Sequence, residues 1–387
     1  MPRFPRLHLQ RITSGSSWIP EIDGLRFVAI LSVVLFHLAA QVVAKSSVHL
    51  TAQAWYQPLF NTLSRGHIGV PLFFVISGFI LGRPFARQYL LRQNRVRLRS
   101  YYLRRVTRLE PPYVLNLIIS AVAIYLYFGG PIHTLLLHLA VSAVYMHGLI
   151  FRQVSPINGV AWTLEVEVQF YILVPLLTLI FRLKNVLLRR GILLASIVIL
   201  PVIQTRYLFG HLAGDSWLWS SIFFYLQYFL AGLLLSDLYV TAMPRWRTSL
   251  LWDAASVAAW LLLFQYVYGW IYYVEPLAIL IAYMGAFRGK LFPRIFRVRW
   301  IALIGGMCYS MYLWHFFIIA LVFKLTRHLV LTRDLFVNFL LQAALILPCI
   351  LAGTLVYFIL IERQCMDPAW PRKLKAALSR EPGRPVV

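Results

Sequence analysis

The chain has 387 residues, of which 60% are hydrophobic and 13% are charged. A soluble globular domain carries about 25% charged residues, so this composition excludes an ordinary soluble fold and indicates an integral membrane protein. The 37 Lys and Arg residues outnumber the 13 Asp and Glu residues and give a net charge of +24. Because these charges lie between apolar runs, they indicate membrane topology beside anionic lipid and exclude nucleic acid as the expected partner. The three cysteines have no metal-ligand spacing, so no metal site is expected.

Apolar runs follow one another along the whole chain, and roughly 18 to 20 such residues are enough to cross a bilayer. The runs cover approximately residues 24–44, 68–85, 111–128, 132–150, 162–181, 191–207, 217–239, 250–268, 270–287, 300–323 and 335–361. These runs predict an all-α, polytopic bundle of membrane helices with short loops.

The basic segments between the runs set the expected topology, because Lys and Arg concentrate on the cytoplasmic side. They are the N-terminus, residues 83–108, 182–190, 244–247 and 288–299, and the tail from residue 363. Eleven spans would place 182–190 outside the cytoplasm, whereas ten spans place every basic segment inside. We therefore predict about ten transmembrane helices with both termini cytoplasmic, and that 132–150, which follows a Gly-Gly-Pro break, does not cross.

This topology divides the chain into three predicted segments. Residues 1–18 form a cytoplasmic N-terminal segment, 19–362 a membrane domain, and 363–387 a basic cytoplasmic tail. The first apolar run is long enough to anchor the chain, so residues 1–18 do not resemble a cleaved signal peptide.

The first membrane helix carries a histidine inside its apolar run. His37 lies eleven residues after Arg26, which is close to three helical turns, so the two side chains share a face about 16 Å apart along the axis. An ionisable group at membrane depth is a candidate functional residue. The alternative is a structural histidine bonded to a neighbouring helix, and the helix pattern alone leaves both open.

The segment YYLRRVTRLEPPY carries the strongest cluster of positive charge near a helix entrance. Arg104, Arg105 and Arg108 have helical neighbour spacing and precede a span that we expect to open at Pro111. Guanidinium groups offer forked donors that suit phosphate. The cluster therefore indicates either a phosphate-bearing cofactor or lipid headgroups. Residues 92–99 are interpreted as an ordinary cytoplasmic loop.

Two further stretches place polar groups at the other ends of membrane helices. In WTLEVEVQFY, Glu165 and Glu167 are two residues apart and point to different faces, so they do not form a catalytic pair. One of them is expected either to meet His37 or to lie in interfacial water. In GGMCYSMYLWH, His315 lies at a depth similar to that of His37 and shares a face with Tyr312, although an aromatic packing stripe explains Tyr312 equally well.

Taken in order, these motifs resemble the membrane-bound acyltransferases of the acyltransferase-3 type, which O-acylate glycans and some secondary metabolites. The matching stretches are Arg26 with ten intervening residues before His37, GHIGVPLFFVISGF at 66–79, RRVTRLEPPY at 104–113, WTLEVEVQFY at 162–171 and the closing GGMCYSMYLWH at 305–315. Each stretch is weak alone, but the ordered set is specific and covers nearly the whole chain. Small residues at 66–79 also predict close helix approach.

The resemblance implies roles for individual residues. His37 matches the essential histidine of the family and Arg26 its paired basic residue. Arg105 and Arg108 match an arginine pair tied to acyl-CoA use, with Arg104 beside them, and Glu167 rather than Glu165 matches the acid of its motif. His37 is then expected to act as general base on an acceptor hydroxyl or to carry the acyl group as an acyl-imidazole.

The resemblance also implies the substrates and the location. The donor is acyl-CoA, with acetyl as the expected acyl group, and the acceptor is a hydroxyl of a glycan or glycosylated small molecule in the bacterial cytoplasmic membrane. The acceptor is expected to contact four residues, Trp162, Tyr309, Ser310 and His315. Cys308 and Pro71 depart from the serine and aspartate usual at their positions, and no SGNH-type esterase domain accompanies the membrane part, which predicts a stand-alone transferase.

Two functions of other classes fit the same composition. A transporter of glycans or lipids would also hold charges inside the membrane, but it has no need of an arginine cluster for CoA phosphates. A regulatory membrane subunit would tolerate the loss of His37.

Overall fold

A computed structural model describes residues 18–46, 55–209, 220–265, 269–367 and 369–371. Within these ranges the chain is helical and contains no strand, which confirms the all-α prediction. Residues 1–17, 47–54 and 372–387, which include most of the two predicted cytoplasmic terminal segments, lie outside the described part of the chain.

The described ranges contain sixteen α-helices. They are α1 (Pro20–Lys45), α2 (Gln57–Ser64), α3 (Gly69–Leu90), α4 (Leu98–Phe128), α5 (Ile132–Ala143), α6 (His147–Phe151), α7 (Trp162–Leu177), α8 (Val186–Ile203), α9 (Leu226–Thr241), α10 (Leu250–Phe264), α11 (Ile271–Arg288), α12 (Phe292–Phe296), α13 (Arg299–Gly306), α14 (Cys308–Thr326), α15 (Leu335–Tyr357) and α16 (Arg363–Cys365). Short 3₁₀ or π turns extend several of them, including a π turn at Phe358–Glu362 between α15 and α16.

Seven of the described helical segments are long and apolar enough to cross a membrane. They are Pro20–Lys45, Gln57–Leu90, Leu98–Phe128, Trp162–Arg182, Val186–Arg206, Cys308–Thr326 and Leu335–Cys365. The apolar helix α5 has 12 residues, about 18 Å of length, against a hydrocarbon core of about 30 Å, so α5 is too short to cross alone. The total of ten spans and the side on which the termini lie stay predictions.

Helix α9 lies in the centre of the bundle and packs closely against α3. Its residues from Gln227 to Leu238 are all buried. A side chain at Gly78 of α3 would overlap the Phe229 carbonyl of α9, and one at Gly69 would overlap the Ala29 carbonyl of α1. The prediction that small residues at 66–79 allow close helix approach is therefore confirmed.

Helix α4 begins at Leu98 and continues through Pro111 and Pro112, so the prediction that a span opens at these prolines is wrong. Pro111 has no N–H and cannot donate to the carbonyl of Thr107 one turn earlier. The indole of Trp370 donates to that carbonyl at 2.9 Å instead. Because the freed acceptor keeps a partner, the arginine-bearing segment and the apolar segment form one helix.

The same compensation occurs in α7 around Pro175. This proline frees the carbonyl of Tyr171, which accepts a hydrogen bond of 3.1 Å from the Tyr101 hydroxyl of α4. Tyr102 donates in turn to the Ile172 carbonyl, also at 3.1 Å. The start of α4 is thereby fixed beside the middle of α7.

The apolar run 300–323 is broken into α13 and α14 at Met307. The first turn of α14 has no side-chain cap of its own, and the carboxylate of Glu362 supplies one from the π turn after α15. It accepts from the Ser310 backbone N–H at 3.0 Å and from the Ser310 hydroxyl at 2.5 Å. This contact fixes the entrance of the helix that carries His315.

Hydrogen bonds of polar side chains hold the region 132–151 in place. His138 and His147 lie 2.9 Å apart between Nδ1 and Nε2, and His147 Nδ1 lies 3.1 Å from the Gln153 carbonyl. Burial lowers the pKa of His147, with the Gln153 carbonyl acting in the opposite direction and His138 adding a smaller decrease. Glu165 of α7 accepts from the Gly148 N–H at 2.9 Å, so this buried carboxylate has a structural partner.

Candidate functional site

A cavity of about 150 Å³, here called the inner cavity, lies between α1, α3, α4, α7 and α14. Its wall brings together five residues that the sequence analysis assigned to chemistry or binding. They are Arg26, Arg105, Arg108, Glu167 and Tyr309. Five helices that are distant in sequence therefore converge on one polar space inside an apolar bundle.

Arginine side chains give the inner cavity its positive charge. Arg105 lies with its guanidinium carbon 6.0 Å from the Tyr101 ring and 5.9 Å from the Tyr171 ring. Its Nε is buried and has no hydrogen-bond partner among the described residues. Arg26 enters from α1, and its guanidinium forms a 2.7 Å ion pair with Asp23. Such donors in a cavity inside an apolar bundle suit an anionic or strongly polar ligand.

Two carboxylates face the arginines across the inner cavity. Glu167 accepts hydrogen bonds from the hydroxyls of Ser77 and Tyr171 and is attracted by Arg105. Glu362, the cap of α14, also lines the wall. The sequence analysis missed Glu362, because it stands beside Arg363 at the end of an apolar run and resembles an interfacial flanking residue. Ser77, which donates to Glu167, was also missed, because the motif around it was interpreted through small residues alone.

The two membrane-depth histidines, which the sequence placed at a similar depth, lie together in the structure. The rings of His37 and His315 are 5.3 Å apart between centroids. His315 is fully buried, and its Nδ1 lies 2.8 Å from the Tyr312 carbonyl and 3.1 Å from the Met311 carbonyl. Since a carbonyl can only accept, Nδ1 carries the proton and Nε2 is left with its lone pair. That Nε2 is buried and has no partner in the described part of the chain.

Tyr312 links the inner cavity to the histidine pair. It lines the cavity wall, and its ring lies 5.9 Å from the ring of His315. The Tyr312 hydroxyl interacts with the Thr163 hydroxyl at 2.5 Å and donates to the Val160 carbonyl. His37 itself does not line the cavity, and its described ring contacts are with Phe36, His315 and Phe316.

The remaining residues assigned from sequence lie around these two centres. Tyr309 donates to the Leu109 carbonyl at 2.9 Å while lining the inner cavity. Ser310 is fully buried, and its hydroxyl donates to Glu362. Trp162 lies outside the wall of the inner cavity, with its ring 5.6 Å from the Tyr225 ring. Glu167 is bonded to Ser77 and Tyr171, so its described contacts do not join it to His37.

Arg104 lies apart from its neighbours Arg105 and Arg108. It is exposed and lines a second cavity of about 520 Å³, here called the arginine cavity. The lining of the arginine cavity includes five arginines and a serine, namely Arg83, Arg87, Arg95, Arg97, Arg104 and Ser100. The predicted three-residue cluster is therefore divided between two spaces.

The fold and the site together define a polytopic helical membrane protein with a charged cavity and a histidine pair in its core. The chain belongs to the acyltransferase-3 family, because the family model described as "Acyltransferase domain" matches residues 19–362. The resemblance inferred from the ordered motifs is thereby confirmed, and with it the assignment to an integral membrane protein.

Curated relatives carry related names. The chain is 26% identical over 334 residues to the O-acetyltransferase OatA of Staphylococcus aureus strain NCTC 8325, which covers 79% of this chain and 51% of that protein. It is 25% identical over 336 residues to a putative O-acetyltransferase of S. aureus strain COL, with the same two coverages. The chain thus spans about half the length of the curated relatives it matches. No solved structure matches.

Proposed function

We propose that this protein is an O-acyltransferase that moves an acetyl group from cytoplasmic acyl-CoA to a hydroxyl of a glycan or glycosylated small molecule. One observation carries the proposal. The arginine-lined inner cavity is joined through Tyr312 to a pair of histidines, one of which has an unpartnered, buried Nε2 within the described residues. A site for an anionic donor therefore lies next to groups that accept protons. The family and the names of the relatives support the same reaction.

The size of the inner cavity favours a short acyl group. A cavity of about 150 Å³ is comparable to one that holds a benzene-sized molecule, so an acetyl thioester fits and a long acyl chain does not. Arg105 and Arg108 enter from α4 and can donate charge-assisted hydrogen bonds to the polar end of the donor. The rest of the CoA molecule must lie outside this cavity.

His37 is the proposed base. An imidazole can take the proton of an acceptor hydroxyl while the oxygen attacks the thioester carbonyl. The carbon–sulfur bond then breaks, the new ester bond remains on the acceptor, and the proton passes to the leaving CoA thiolate. In the alternative route His37 attacks first and carries the acyl group as an acyl-imidazole. The Nε2 lone pair of His315, buried beside it, suits acceptance of a hydrogen bond from the His37 ring or from the acceptor.

The route from the inner cavity to His37 passes Tyr312. This side chain is held by Thr163 and by the Val160 carbonyl. The thioester reaches His37 when Tyr312 turns away from these partners. Tyr312 therefore acts as a gate between the donor side and the histidine pair.

The other assigned residues have supporting roles in this proposal. Glu167, bonded to Ser77 and Tyr171, orients the arginines and the donor rather than His37. Arg26, about 16 Å from His37 along α1, binds the donor with its guanidinium oriented by Asp23. Trp162 and Tyr309 offer aromatic faces and a hydroxyl to the acceptor, and Ser310 acts through Glu362 by fixing α14.

Comparison of surface glycans tests this function in cells. Mass spectrometry of lipopolysaccharide, capsule and exopolysaccharide is compared between bacteria that lack the protein and bacteria that express it. We expect alkali-labile O-acetyl groups on one glycan class only when the protein is present. Purified protein in nanodiscs should transfer label from [¹⁴C]acetyl-CoA to that glycan. Unchanged glycans together with no transfer from acetyl-CoA would contradict the proposed function.

A further inference from the structure

We propose that the arginine cavity holds the ribose 3′-phosphate of the acyl-CoA donor, while the inner cavity holds its thioester end. This inference rests on the proposed function, because it assigns a second part of the same donor. Residues 83–104 thereby form a nucleotide subsite, whereas the sequence analysis interpreted residues 92–99 as an ordinary cytoplasmic loop.

The two cavities differ in size in the way that the two ends of the donor do. The inner cavity of about 150 Å³ has no room for a nucleotide, whereas the arginine cavity of about 520 Å³ lies within the range of sites that bind drug-sized molecules. A donor with a small reactive end and a large nucleotide end needs two spaces of this kind.

The arginine cavity carries a strong positive charge. Five guanidinium groups line the arginine cavity, and no Asp or Glu does so among the residues that the structure describes. A phosphate monoester carries about −1.5 to −2 charges near neutral pH and forms the strongest charge-assisted bonds with arginine. Ser100 adds a hydroxyl from the first turn of α4, a 31-residue helix whose N-cap residue Arg97 makes no side-chain cap. The partial positive charge of that helix end acts in the same direction.

Neighbouring segments of the same two helices line the two cavities. On α3, Ile80 and Leu81 line the inner cavity, and Arg83 and Arg87 follow in the arginine cavity. On α4, Arg104 lines the arginine cavity and the next residue lines the inner one. Ser100 and Arg108 are about 12 Å apart along the axis of α4. In this proposal the extended pantetheine arm of a single CoA molecule runs along α3 and α4 from one cavity to the other.

The loop that carries Arg95 and Arg97 is held in place before a ligand arrives. The Gln93 N–H donates to the Arg87 carbonyl at 3.2 Å, and the Val96 N–H donates to the Gln88 side chain at 2.6 Å. Holding the loop in advance lowers the ordering cost of binding.

The test compares acetyl-CoA with 3′-dephospho-acetyl-CoA, which differ only in the proposed phosphate. Dissociation constants are measured for the full chain in phosphatidylcholine nanodiscs. We expect the wild type to bind acetyl-CoA about 10- to 150-fold more tightly than the dephospho compound, as charge-assisted bonds predict. The double variant Arg95→Ala, Arg97→Ala should lose most of this preference by binding acetyl-CoA more weakly. Both side chains are exposed, so the fold should not change.

Arg99→Ala is the matched control. Arg99 is exposed in the same segment and does not line the arginine cavity, so its loss removes one positive charge from that segment and should leave the preference intact. Equal affinity of the wild type for both compounds, or an undiminished preference in the double variant, would overturn this inference and leave the proposed function standing. No binding of either compound by the wild type would overturn the proposed function as well.

The same chemistry could be supplied by a lipid phosphate, and a second set of nanodiscs distinguishes the two sources. If the double variant loses only the retention of phosphatidylglycerol and binds both CoA compounds as the wild type does, the arginine cavity is a headgroup site and the inference is wrong. If its loss of preference persists in nanodiscs without anionic lipid, the nucleotide source is supported.

Discussion

Two arginine pairs in this protein have the same composition and different environments. Arg189 and Arg190 at the start of α8 both bond to the carboxylate of Asp237, and Arg190 also donates to Thr241 at 2.9 Å. Arg105 on α4 instead turns its guanidinium toward the inner cavity and keeps a buried Nε with no partner among the described residues. Both Nε groups of the first pair have a partner within the protein, whereas the Nε of Arg105 has none among the described residues.

The two pairs therefore differ in whether their buried guanidinium donors have hydrogen-bond partners within the protein. Both pairs lie in basic segments that membrane topology alone would explain. A buried donor without a partner costs about 1–3 kcal/mol, and the acyl-CoA donor proposed above would supply a partner for the Nε of Arg105. Asp237 is fully buried, and its two bonds give the structural pair no such donor at either Nε.

Asp237→Ala should produce the largest change in stability. It removes the partner of two guanidinium groups, of which Arg189 is 2% exposed, and loss of one partner of a buried ion pair costs about 3–5 kcal/mol. We expect a lower thermal unfolding temperature in detergent, measured by intrinsic fluorescence. Asp237→Asn keeps an acceptor and should lose less. An unchanged unfolding temperature for Asp237→Ala would show that this pair is not structural.

Arg105→Ala and Arg108→Ala should weaken donor binding and leave the stability of the protein nearly unchanged. Each removes charge-assisted bonds worth about 1.5–3 kcal/mol to the donor, so the dissociation constant for acetyl-CoA rises while the unfolding temperature stays near that of the wild type. Lysine at either position should restore only part of the affinity, since it lacks the forked geometry. Unchanged affinity in both alanine variants would indicate a lipid headgroup as the ligand.

Tyr312→Phe should have the smallest effect, and it should raise the rate of acyl transfer rather than lower stability or affinity. It removes the hydroxyl that bonds to Thr163 and Val160, each bond being worth about 0.5–1.5 kcal/mol. If turning of this gate limits the reaction, the initial rate of acyl transfer should rise by about two- to tenfold. Tyr357→Phe, which loses a bond to the Pro112 carbonyl, is the matched control. A loss of more than tenfold in Tyr312→Phe alone would make this hydroxyl part of the chemistry.

The sequence predicted the helical membrane fold because apolar runs of sufficient length have few other solutions. It did not predict the course of α4 through Pro111, because the partner of the freed Thr107 carbonyl is Trp370, 263 residues later. The break at Met307 was missed for the same reason, since Glu362 supplies the cap from another helix. Contacts between distant segments decided both cases.

For the site, the sequence predicted the positions of residues along single helices. It did not predict which side chains of different helices are in contact. The helix pattern placed His37 and His315 at a similar depth but did not predict that their rings lie 5.3 Å apart. The expected contact of a glutamate with His37 depended on how α7 is rotated, and Glu167 instead bonds to Ser77 of α3. Neighbouring arginines on one helix also open into different cavities, because 100° of rotation separates consecutive residues.

The rate at which CoA is released from acetyl-CoA shows whether His37 is the base of the reaction. Purified wild type, His37→Gln and His328→Gln are compared in nanodiscs with the glycan acceptor, the last being an exposed histidine at the end of α14. Loss of a positioned base costs about 10²–10⁴-fold, so His37→Gln should be inactive at an unchanged unfolding temperature while His328→Gln retains the wild-type rate. Acyl transfer by His37→Gln at close to the wild-type rate would make this histidine structural and contradict the account.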